Sequence, residues 1–131
     1  MHLNKQNGNL NFREFAITSN TLLSDVANLA RLYDVQPGNR NGDYTSYNVR
    51  DIDDGDITLG IRFFKENLFA VGISLGRKYN FPPFENTEEE KHVLKARFEL
   101  LGGEKKYDWG EVTFGEDPRG GSLYIYIGYN T

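Results

Sequence analysis

The sequence predicts an α+β domain: an antiparallel sheet of five to six strands with two helices on one face, in the order β-α-β-β-β-α-β-β. Three observations predict it. Apolar residues alternate with period two through residues 44–76 and again through 123–129. Two other segments carry apolar residues at helical spacing. The helices are separated by hairpins and not by single strands, which argues against a parallel βαβ layout. At 131 residues the chain reads as a single domain, 1–131, with residues 1–8 a loosely ordered N-terminal segment.

Taken in order, Leu10 and Phe12 alternate, and Phe15 and Ile17 alternate with the phase shifted by one. That is a strand with a bulge, or a strand followed by an extended linker. Thr18-Ser19-Asn20-Thr21 is dense in capping side chains. Behind it Leu22, Leu23, Val26, Leu29, Ala30 and Tyr33 predict an amphipathic helix from about Thr21 to Tyr33. Pro37-Gly38 and Asn39-Arg40-Asn41-Gly42 read as the loop after it.

Tyr44 to Asp53 reads as a strand, and Asp54-Gly55 as a two-residue turn that wants positive φ. Ile57, Leu59, Ile61 and Phe63 then face one way, while Thr58, Gly60, Arg62 and Phe64 face the other. After Lys65-Glu66-Asn67, Phe69, Val71, Ile73 and Leu75 face the core, and Ala70, Gly72 and Ser74 face away. Residues 44–76 are thus a three-stranded meander.

Pro82-Pro83 breaks the chain. Thr87 and Glu90 stand in capping-box spacing, and the glutamates of the first turn suit the helix dipole. Leu94, Phe98 and Leu101 mark the buried stripe, and Gly102-Gly103 ends the helix. Tyr107 to Gly115 is a further strand, residues 116–121 a hairpin loop, and Leu123 to Tyr129 the last strand.

Composition excludes several functions. Without cysteine there is no disulfide framework, no thiolate metal site and no cysteine nucleophile. The net charge of -4 argues against a nucleic-acid binder, which carries a basic footprint. The N-terminus has no signal-like apolar stretch, and no run approaches the length of a membrane helix. A cytoplasmic protein with no membrane association is therefore expected. The charge is concentrated: residues 43–56 hold five aspartates against Arg50.

Asp51, Asp53, Asp54 and Asp56 form the densest acidic cluster. An EF-hand loop begun at Asp51 fails, because its fifth, sixth and twelfth positions are Gly55, Asp56 and Arg62. No metal site is predicted. The cluster reads as a solvated hairpin tip, or as an electrostatic landing site for a basic partner. His92, four residues after Glu88, has neither a nucleophile nor an orienting group assigned to it and reads as a structural or surface histidine. The phosphate-loop, dinucleotide-binding and nucleophile-elbow patterns are missing, so no catalytic residue and no cofactor is predicted.

The aromatic distribution is the most informative feature. Leu123, Ile125 and Ile127 already take the core face of the last strand, so Tyr124 and Tyr126 stand on the open face. Their expected face-mates are small or polar residues together with Arg62. Tyrosine and arginine are common binding hot spots. Tyrosine is also a good strand former that packs over glycine across strands, and the same residues can do both. A sheet that stacks single-stranded RNA would need flanking basic residues that this acidic chain lacks.

The segments Tyr107-Asp108-Trp109-Gly110-Glu111-Val112 and Asp117-Pro118-Arg119-Gly120-Gly121-Ser122 precede the alternating strand Tyr124 to Tyr129. With His92 and Leu94 on a Glu-rich helix and the Phe64-x-x-x-Leu68 hairpin, this pattern resembles small bacterial proteins, some of them immunity proteins encoded beside polymorphic toxins. The resemblance spans about residues 56–129. It implies a one-domain α+β binder that blocks a toxin without a cofactor.

The expected function is therefore a non-enzymatic protein-binding domain, an immunity-type inhibitor that occludes a partner toxin. Its expected contacts are Asp51, Asp53, Asp54, Asp56, Arg62, Tyr124 and Tyr126. One alternative is a self-associating scaffold domain, a homodimer using the open sheet face or an edge strand. Another is a hydrolase with a carboxylate site the pattern does not reveal.

Overall fold

A computed structural model describes residues 1–76, 88–116 and 123–130. The proline pair at 82–83, the helix cap at Thr87 and the 117–121 part of the expected hairpin loop lie outside the described residues. Three two-residue strands open the chain: β1 (His2–Leu3), β2 (Leu10–Asn11) and β3 (Ala16–Ile17). They form a small antiparallel sheet in the order β1-β2-β3. A seven-stranded antiparallel sheet follows, made of β4 (Asp34–Asn41), β5 (Tyr44–Ile52), β6 (Ile57–Phe64), β7 (Asn67–Leu75), β8 (Lys105–Tyr107), β9 (Gly110–Glu116) and β10 (Leu123–Tyr129). Its order is β4-β5-β6-β7-β10-β9-β8. The α+β class and the antiparallel pairing stand, but the expected five to six strands become seven in one sheet and three in another.

The two extra strands of the large sheet have separate physical origins. Residues 34–41, expected to end in a Pro-Gly loop, pair with β5 as an edge strand with a register shift between Pro37 and Arg40. An edge strand uses only one side of its backbone, so it tolerates a residue with no N–H. Residues 107–115, expected as one strand, instead fold as a tight hairpin: Lys105, Lys106 and Tyr107 pair back onto Val112, Glu111 and Gly110.

The first helix is much shorter than its apolar spacing predicts. A 3-10 turn (Leu23–Asp25) leads into α1 (Val26–Leu29). Only Val26 and Leu29 of α1 are buried, while Leu22 and Leu32 are 42% and 54% exposed. Leu22 instead makes a bridge to Asn67, and the Leu23 amide donates to the Glu66 carbonyl. Pairing with the β6–β7 turn thus takes backbone that a longer helix would need. The second helix, α2 (Glu88–Leu100), fulfils its pattern, with Leu94 and Phe98 buried. It ends as its glycines require. The Gly103 amide donates to the Phe98 carbonyl and the Gly102 amide to Glu99, with both glycines at positive φ.

One core lies between the large sheet and its covering elements. Leu59, Ile61, Phe63, Ile73, Ile125 and Ile127 are fully buried, and Leu94 of α2, Val26 and Leu29 of α1, and Leu3, Leu10 and Ile17 of the small sheet join them. The expected inward position of Phe69 is corrected. A bulge between Arg62 and Phe63 pairs Phe63 with Leu68, so Leu68 is buried and Phe69 packs against Tyr44.

Residues 1–9 are tied to the end of the chain. The Trp109 indole N–H donates to the Lys5 carbonyl at 2.9 Å, and the Tyr129 hydroxyl donates to the Gly8 carbonyl at 2.9 Å. Trp109 stacks on Tyr107 with centroids 4.9 Å apart, and Gly8 lies so close to the indole that a Cβ there would come within 2.5 Å of it. Trp109→Ala should therefore cost about 3 kcal/mol, as large aromatic deletions do. Proteolytic cleavage before Leu10 should also accelerate. Unchanged cleavage would show that the indole is not what holds this segment.

Tyr129 carries a pH prediction. Burial pushes its phenol well above the ordinary value of 10.0. The raised folded-state value means this contribution to stability is fully present below about pH 10 and is lost as pH rises toward the folded value. Stability from denaturant titrations should hold from neutral pH to about 10 and then fall, by up to about 1.4 kcal/mol per pH unit for this single proton. A midpoint that stays flat to pH 11 would contradict the burial.

Candidate functional site

The open face of the large sheet is the candidate site. Ladder register builds it. Gly60 of β6 pairs with Gly72 of β7, and Gly72 pairs with Tyr126 of β10. Arg62 pairs with Ala70, and Tyr124 lies directly opposite Gly115 of β9. The small residues of β7 let the Arg62 side chain lie across that strand. Its Nη2 comes within 3.8 Å of where a Gly72 Cβ would stand, and its Cζ sits 5.6 Å from the Tyr124 ring centroid and 5.8 Å from that of Tyr126. These are cation–π distances.

Both tyrosines also lie down on glycines. A Cβ on Gly115 would fall 2.5 Å from the Tyr124 ring, and one on Gly128 would fall 2.8 Å from that of Tyr126. The structural role and an exposed binding edge therefore coexist, and both residues are only partly buried. Burial pushes the Tyr126 phenol above its ordinary value, with Glu111 and Tyr124 adding to the rise and Arg62 opposing it. The hydroxyl is therefore protonated, and able to donate, at neutral pH.

On the other side of Arg62 lies a second aromatic group. Tyr44 packs against Phe64 at 5.0 Å and Phe69 at 5.7 Å between centroids. Tyr44 is 53% exposed and Phe64 39%. Beside them a recess of about 360 Å³ is lined by Ser46, Asn48, Gly60, Arg62 and Phe69, among others. Sequence reasoning missed this part. Phe64 shares the period-two phase of Arg62, which was a signal, but the bulge that turns Phe69 outward leaves no mark in the pattern.

The acidic tip is organised differently from a bare landing site. The turn between β5 and β6 spans four residues, 53–56, and not two, with Asp53, Asp54 and Gly55 at positive φ. The Arg97 Nη2 donates to Asp56 Oδ1 at 2.6 Å, and both side chains are largely buried. Asp53 lies 3.7 Å from the Met1 amino group. Asp51, at positive φ, occupies a bulge between Val49 and Ile52. Asp51, Asp53 and Asp54 line a broad groove of about 1050 Å³ together with Arg13, Arg31 and Arg50. Counter-charges thus accompany the carboxylates. Asp56, just before β6, is six residues from Arg62, about 20 Å at strand rise, so the acidic tip and the open-face cluster are separate regions.

His92 is exposed on α2. Among the described residues, no group of three or more His, Asp or Glu side chains is arranged to hold a metal ion. Also among them, no helix is long and apolar enough to cross a membrane.

The architecture has a counterpart among solved structures. It is similar to one chain of the solved structure described as "Rhs1-CT in complex with cognate immunity protein RhsI1", with a TM-score of 0.63. The match covers 99% of this chain and 87% of that one, at 14% sequence identity, so the likeness is one of fold. No protein-family model and no curated protein sequence matches the chain.

Proposed function

We propose that this protein is a non-enzymatic, immunity-type inhibitor that binds a partner toxin domain in the cytoplasm and occludes it. The observation that carries the reading is the fold likeness, over nearly the whole chain, to a chain of a complex containing an immunity protein. The open face supports it with an aromatic and arginine surface of the composition that dominates protein interfaces. Arg62, Tyr124 and Tyr126 are the anchors of the proposed contact. The acidic tip, where Asp54 is exposed, steers a basic region of the partner from a distance.

Self-association along the β4 edge is disfavoured. Pro37 removes a donor there, and the register shift beside it breaks the regular row of backbone groups.

Co-expression tests the reading. Where a neighbouring gene encodes a toxin domain, that domain should arrest growth when expressed alone and should be silent when this chain accompanies it, with the two co-purifying. Continued arrest despite soluble expression of both would sink the proposal for that pair.

A further inference from the structure

We infer that Arg62, held between Tyr124 and Tyr126, is a preformed receptor for one carboxylate side chain of the protein partner. The inference rests on the protein-binding reading above for who supplies that carboxylate. Among the described residues, Arg62 makes no ion pair and no hydrogen bond, and it lies against the two rings and over Gly72. Neither tyrosine hydroxyl has a hydrogen-bond partner there either. A half-buried guanidinium has lost part of its hydration without gaining a counter-ion, and a bound carboxylate would supply one. The two rings fix the planar fork, so the side-chain entropy of arginine is largely spent before binding.

The surroundings select the ligand class. Arg62 is the one cation over these rings among the described residues, and Glu111 also faces Tyr126. A single guanidinium beside a carboxylate suits a monoanion better than a phosphate dianion. Ala70 and Gly72 are buried beneath this cluster, so a partner reaches the guanidinium from the solvent side of the rings. The neighbouring recess, with Tyr44 and Phe69 in its wall, would take an apolar side chain next to the acidic one. The occupant is therefore a protein segment carrying an Asp or Glu beside an apolar residue.

The test is an NMR titration of the full chain with three probes. These are a capped pentapeptide with leucine–glutamate–leucine at its centre, the same peptide with glutamine, and inorganic phosphate. The glutamate peptide should give saturable shifts at the Arg62 side chain and the Tyr124 and Tyr126 rings. The glutamine peptide should bind at least about tenfold more weakly, and phosphate more weakly still. Arg62→Gln should abolish the effect while the protein stays folded, its melting temperature lowered by no more than several degrees, and Arg62→Lys, which keeps charge but loses the fork, should weaken it. Equal binding of the glutamine peptide, preferential binding of phosphate, shifts elsewhere on the protein, or no binding of any probe would each overturn the assignment. The readout needs no toxin, so a failure of growth protection and a failure of this receptor are distinct results.

Discussion

Gly110→Ala should strongly destabilise the C-terminal half of the sheet. Gly110 begins β9 and pairs with Tyr129. A Cβ there would fall on the carbonyl oxygen of Gly128, 2.9 Å from its carbon and 3.1 Å from the Tyr129 Cα. All three atoms are backbone of a paired strand, so no side chain can swing aside. The adjacent residue carries further contacts, since the Trp109 carbonyl accepts from the Asn130 amide and its indole holds Lys5. The expected cost is about 3 kcal/mol or more, the upper range for overpacking. For a domain with about 5–15 kcal/mol in total, the melting temperature should fall by roughly ten degrees or more. Gly42→Ala is the control: no atom lies within 4 Å of its Cβ position, and only the positive φ of 61° opposes it. That strain costs about 1–2 kcal/mol. Equal melting temperatures for the two variants would refute the close-approach account.

Arg62→Glu should separate binding from folding. On the folded protein it removes two weak cation–π contacts of about 0.5–1 kcal/mol each. Arg62 is half-buried on an open sheet face, so stability should change by no more than about 1–2 kcal/mol. In the complex, loss of an arginine anchor costs about 2 kcal/mol or more, and a negative charge facing a partner carboxylate adds a similar repulsion. Affinity for the partner toxin domain should thus fall about a thousandfold, corresponding to about 4 kcal/mol. Growth protection should be lost while the circular dichroism spectrum is retained. Full protection by a folded Arg62→Glu variant would place the interface elsewhere.

Local alternation proved to be the part of the fold most legible in the sequence. It placed the β5–β7 meander, the last strand and the opposite facing of Tyr124 and Ile125, because a period of two needs no knowledge of partners. The features it missed depend on contacts between distant segments. Residues 37–42 look like a loop, yet residues 34–41 become a strand because β5 offers its free edge. Helical spacing over residues 21–33 loses to backbone bonds with the β6–β7 turn. Arg62, Tyr124 and Tyr126 were each visible as open-face residues, but their convergence depends on β7 lying between β6 and β10. The acidic tip shows the reverse: its charges were legible, whereas the counter-charges of Arg97 and Met1 come from far along the chain.

Hydrogen exchange on the complex with the toxin domain tests the central claim, that the open sheet face is the inhibitory surface. New protection is expected in residues 58–64, 69–74 and 123–128, with α2 and residues 1–17 exchanging as in the free protein. Protection confined to α2 or the N-terminal sheet, with those three strands unchanged, would contradict it.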